Sequence, residues 1–80
     1  MNRVCVGDVR RLGARDYVVL SVEHGRPGEC RTVYVLGQQV GGRVLARETR
    51  GHEVRQWPRV DRLRLSVTRS KWGIVGEVLS

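Results

Sequence analysis

Apolar and polar residues alternate along most of this chain, and the alternation breaks at glycine. Tyr17–His24 is the clearest case. Val18, Leu20 and Val22 fall on one side of an extended strand, and Tyr17, Val19, Ser21 and Glu23 on the other. Cys30–Gln38 sets Val33 and Val35 against Thr32, Tyr34 and Leu36, and apolar residues on both faces mark it as a central strand. Arg43–Thr49 is a third strand. Arg59–Thr68 alternates Leu63, Leu65 and Val67 against Arg62, Arg64 and Ser66, and Trp72–Leu79 follows with Gly73 and Gly76 inside it. A strand glycine marks a bulge or a close backbone approach. At the start, Arg3–Val6 reads as a short strand ending at the Gly7-Asp8 turn, with Val9–Leu12 continuing beyond it.

The breaks fall at Gly13–Asp16, at the "GRPGE" loop Gly25–Glu29, at Gly37–Gly42 with its tight turn at Gly41-Gly42, and at Arg69–Lys71. Arg50–Pro58 reads as a loop or a single helical turn, interrupted by Gly51 and stopped by Pro58. No segment holds a period of 3.6 for three turns, so helix content should be low. Five to six short strands with regularly spaced turns predict an all-β fold over residues 1–80, a single small barrel or two packed antiparallel sheets. The core formers agree. Val dominates, Phe is absent, and β-branched residues suit a pleated, half-buried surface.

The stretch Val6-Gly7-Asp8-Val9, then Gly13, then the strand from Tyr17 resembles the SH3-like small barrels, the group that includes Tudor, chromo-like and KOW domains. KOW motifs open with a similar Gly-Asp-x-Val step. Where that motif has a second glycine before its strand, this chain has Asp16-Tyr17. The likeness covers mainly the N-terminal half. It implies a barrel whose relatives bind nucleic acid, methylated lysine or protein, and fold alone does not choose among them.

Charge narrows the choice. The formal net charge is +7, and all the basic residues but Lys71 are arginine. Such a balance attracts polyanions. The charge is uneven: residues 41–72 carry eight Arg and Lys71 against Glu48, Glu53 and Asp61. Arg43 and Arg47 share one strand, Arg62 and Arg64 another, and Arg55 and Arg59 bracket Trp57. Guanidinium forks match phosphate oxygens, and an aromatic in a basic neighbourhood can stack a base. Arg43, Arg47, Arg55, Trp57, Arg59, Arg62 and Arg64 are therefore the candidate nucleic-acid contacts.

Each candidate has a plainer alternative. The arginine richness also fits a GC-rich genome, and the basic face also fits a solvated surface. Trp57, in the loop "RQWPR", also fits a cap on one end of the core, and Trp72, opening a strand, fits the core. Four aromatics are too few to build a methyl-lysine cage and a core together.

No metal or cofactor is expected. Cys5, His24, Cys30 and His52 lack the close pair spacing of zinc sites, and the thiols sit in apolar strands that do not activate a nucleophile. The chain carries no paired acids and reads as a non-enzyme. No leader or membrane-spanning run is expected from it, and its two cysteines suit a reducing, cytoplasmic setting. The leading expectation is a basic module that binds DNA or RNA. The alternative is a small protein-interaction module of the phage or mobile-element accessory kind, docking a partner protein through Trp57 and an exposed strand edge. Edge strands also allow a homo-oligomer.

Overall fold

In the computed structural model, which describes residues 3–25, 28 and 31–79, the chain forms one antiparallel sheet of seven strands. They are β1 (Asp8–Leu12), β2 (Arg15–His24), β3 (Thr32–Val40), β4 (Arg43–Arg50), β5 (Arg59–Arg62), β6 (Leu65–Ser70) and β7 (Gly73–Val78), with a 3-10 turn at His52–Gln56. Their order across the sheet is β5-β1-β2-β3-β4-β7-β6. The two outermost strands are chain neighbours, separated only by Leu63 and Arg64. One bent stretch of chain thus forms both margins, and the sheet wraps on itself. The bend is pinned from both sides: Leu63 N donates to the Gly7 carbonyl and Leu79 N to the Arg64 carbonyl, each at 2.8 Å.

The all-β class holds, as one sheet rather than two. The strand count rises to seven because the expected strand Arg59–Thr68 divides. Its first part pairs with β1 and its second with β7, so it must turn between them. Arg3–Val6 is not a strand. Its Cys5 N–H donates to the Asp8 carboxylate at 3.0 Å, a side-chain bond in place of a ladder, and β1 is the Val9–Leu12 continuation with Asp8 added. Arg26, Pro27, Glu29 and Cys30, on which the expected loop and one thiol fall, lie outside the described residues.

Alternation on β2 and β3 feeds two cores. Inside the wrap lie Val9, Val18, Leu20, Val35 and Val44, joined by Leu63, Leu65, Val67, Ile74 and Val78. On the outer face of β2 and β3, Tyr17, Val19, Tyr34 and Leu36 pack with Val4, Val54 and Trp57. The β2–β3 pairing shifts register between Val19 and Ser21, which is how Val22 joins Tyr17 and Val19 rather than Val18 and Leu20. A bulge adds one residue and reverses the sides beyond it.

Where β6 passes β2, the two are joined by side chains. Arg69 donates to Glu23 Oε1 at 2.8 Å and to Ser21 Oγ, and so bridges the seam.

Candidate nucleic-acid interface

The outer wall has two unlike halves. Over β1, β2 and β3 it is covered by the N-terminal segment and by the 51–58 segment, which carry Val4, Val54 and Trp57 onto the sheet. Beneath them lies a buried ion pair. Arg10 and Asp8, 2% and 0% exposed, meet at 3.1 Å. Arg10 also donates to the carbonyl oxygens of Trp57 at 2.9 Å and Arg3 at 3.3 Å. Pairing makes burial of these charges tolerable, and their bonds tie both covering segments to β1.

Over β4, β7 and β6 the outer wall is bare among the described residues. Two cross-strand rows define it: Arg43, Glu77 and Ser66, then Leu45, Val75 and Thr68. All but half-buried Val75 are exposed. Arg64 lies two residues before Ser66 along the same side. Exposed Arg62 and Arg64 flank half-buried Leu63 at the bend between β5 and β6. Arg47, exposed, lies two residues beyond Leu45 toward the β6–β7 hairpin tip. Arg43 and Arg64 thus lie along this wall with Ser66, Thr68 and Glu77, Arg47 follows at the register shift of β4, and Arg62 stands across the bend on β5.

Among the described residues, none of Arg43, Arg47, Arg55, Arg59, Arg62 and Arg64 forms a salt bridge. The arginines that do are Arg10, Arg11, Arg50 and Arg69. The hydrogen bond from Arg50 holds the Glu48 carboxyl below its usual range, and the hydrogen bond from Arg11 does the same for Asp16. Both arginines are raised in turn by those bonds. Among the described residues, ion pairing thus leaves Arg43, Arg47, Arg62 and Arg64 without a salt-bridge partner.

Two candidates lie elsewhere. Arg59, on β5, stands opposite buried Arg10. Arg55, on the 3-10 turn, lines a separate cleft with Arg3, Cys5, His24 and Tyr34. A second cleft brings Arg31, Arg50 and His52 together.

Trp57 takes the cap position, one of its two readings, and Trp72, expected in the core, is exposed. Trp57 is 7% exposed, its ring 5.8 Å from that of Tyr17 with the Arg50 guanidinium at 5.8 Å. It caps the outer core, and its ring is packed against the sheet and not displayed at the surface. Trp72 is 85% exposed at the tip of the β6–β7 hairpin. Ser70 pairs with Gly73, leaving Lys71 and Trp72 as the turn, and Gly73 takes the left-handed step (φ 124°). The signal was in the sequence: in "SKWG" the glycine marks the turn's end, so Trp72 belongs to the turn and not to the strand.

Among the described residues, no three His, Cys, Asp or Glu side chains gather where they could hold a metal ion, and no helix is long and apolar enough to cross a membrane. No family model, curated protein or solved structure matches the chain.

Proposed function

We propose that this protein is a non-enzymatic binding module for nucleic acid, with the bare outer wall of β4, β7 and β6 as its contact surface. The observation that carries the reading is the distribution of ion pairs. Arg43, Arg47, Arg62 and Arg64 are exposed on or beside one wall with no salt bridge among the described residues. Ser66 and Thr68 lie between them, and hydroxyls and guanidinium groups together are the usual donors to phosphate and sugar. Such contacts set affinity and orientation rather than sequence, and they weaken with salt through counterion release. The Gly7-Asp8-Val9 opening resembles that of the SH3-like small barrels, and a kinship with them is part of this proposal.

The test is fluorescence anisotropy with labelled single- and double-stranded DNA and RNA across a salt series. Binding should persist at near-physiological salt. The slope of log affinity against log salt should fall by about 0.9 for each phosphate-contacting arginine on duplex, so Arg43→Ala with Arg64→Ala should flatten it by nearly two. Absent binding, or a slope unmoved by those changes, would overturn the proposal.

A further inference from the structure

We propose that Trp72 is the aromatic platform of this surface and that the preferred ligand is single-stranded nucleic acid, whose unpaired base stacks on the Trp72 ring. The inference rests on the nucleic-acid reading and adds to it the form of the ligand.

Three observations carry it. Trp72, at 85% exposed, is the most exposed of the large hydrophobic residues described. Its position is built. Trp72 N donates to Ser70 Oγ at 3.1 Å, and Ser70 Oγ donates to the Gly73 carbonyl at 3.4 Å, so the turn that presents the ring is bonded internally. The ring's surroundings are cationic, with Lys71 Nζ 4.8 Å from its centroid and Arg47 lying along β4 toward the same tip.

The tip also continues the proposed surface. β7 runs four residues from Glu77, in the Arg43 row, to Gly73 at the tip, a rise of about 13 Å. A strand whose phosphates meet Arg43 and Arg64 is led along the wall to the ring. A duplex keeps its bases stacked inside and offers the ring only an end, whereas a single strand can splay a base onto it. Lys71, close to the ring, adds charge beside the stacked nucleotide.

The experiment measures anisotropy and intrinsic fluorescence together, with oligothymidylate, oligouridylate and a mixed-sequence duplex. The probes are wild type, Trp72→Ala and Trp72→Phe, and Trp57→Phe leaves Trp72 as the lone reporter. If Trp57→Phe fails to fold, the wild type and the two Trp72 variants suffice, because buried Trp57 contributes a separate, short-wavelength emission.

We expect the single strands to quench the long-wavelength emission. Trp72→Ala should weaken single-strand binding about tenfold or more, Trp72→Phe should restore most of it, and duplex binding should stay nearly unchanged. Single-strand affinity within twofold of wild type in Trp72→Ala, or no quenching on binding, would overturn the inference and leave the arginine surface standing. If wild type binds no nucleic acid at all, both proposals fall.

Discussion

Arg10 donates from Nη1 to the carbonyl oxygen of Trp57 at 2.9 Å, across forty-seven positions of sequence. Its other amino group reaches Asp8, so one buried guanidinium joins β1, the N-terminal segment and the segment that caps the outer core. Among the described residues Asp8 Oδ1 and Arg10 Nε have no hydrogen-bond partner, so the pair is incompletely satisfied there. Truncating one member strands the other as a buried charge, while replacing both removes the desolvation cost along with the attraction. Arg10→Met should therefore destabilise the fold by about 3–5 kcal/mol. The pair Asp8→Asn with Arg10→Met should cost clearly less. Urea unfolding of the three proteins decides it, and a near-neutral Arg10→Met would show that the pair does not tie these segments together.

The same region shows where the sequence stopped being informative. Strand periodicity carried Tyr17–His24, the Arg43 strand and the sides of Leu63, Leu65 and Val67, because side-chain direction along an extended chain is a local matter. Arg10 was not legible as a buried residue. Alternation places it opposite Val9, facing outward, and only the distant 51–58 segment turns that outward face into an interior. Trp57 was legible as a cap from its loop setting, but its charged neighbours did not show which face of the sheet the loop lands on. Val22 was misplaced by a bulge, and the division of β5 from β6 by a change of pairing partner; neither leaves a period in the sequence. The exposure of Arg43, Arg47, Arg62 and Arg64 followed from their residue type, because none of the described residues packs over them. Their separation from Arg55 was not legible, since it depends on which face the 3-10 turn packs against.

Gly7 should prove the least replaceable of the turn glycines described. It sits at φ 96°, and a Cβ there would collide with the Leu63 carbonyl oxygen at the bend between β5 and β6. Gly41, at φ 63°, has open space around its would-be Cβ. A left-handed alanine costs about 1–2 kcal/mol for its backbone conformation. Gly41→Ala should cost that alone, whereas Gly7→Ala should add a backbone displacement and exceed it. Equal shifts in thermal midpoint for the two variants would mean that the bend moves freely.

The Glu48–Arg50 pair should add to stability in one pH window. The Arg50 hydrogen bond lowers the Glu48 carboxyl in the folded protein, so folding favours the ionised form. That contribution is present above the unfolded carboxylate range, near pH 4, and is lost as pH falls through the lower folded value. The pair is partly exposed, Glu48 at 32% and Arg50 at 38%, so the effect is small and salt-sensitive. Wild type should exceed Glu48→Gln in thermal midpoint at neutral pH, with the gap closing in acid. A gap that widens in acid would contradict the sign.

Arg69 and Arg64 should behave differently although both are exposed arginines on or beside β6. Arg69 is engaged: its guanidinium bridges to Glu23 and Ser21 across the seam and precedes the Lys71–Trp72 turn by a single residue. Arg64 forms no salt bridge among the described residues. Arg69→Ala should loosen the β6–β7 hairpin, seen as faster amide exchange there with β2–β3 protection retained, at a global cost within about 1 kcal/mol. It should lower single-strand affinity through the mobility of Trp72 while leaving the salt slope nearly unchanged. Arg64→Ala should do the reverse, sparing amide exchange and reducing the slope by about 0.7 on a single strand. Equal changes in slope for the two would mean that Arg69 releases its seam contacts and meets phosphate directly. The charge of this chain would then act as a diffuse field and not through the wall that β4, β7 and β6 build.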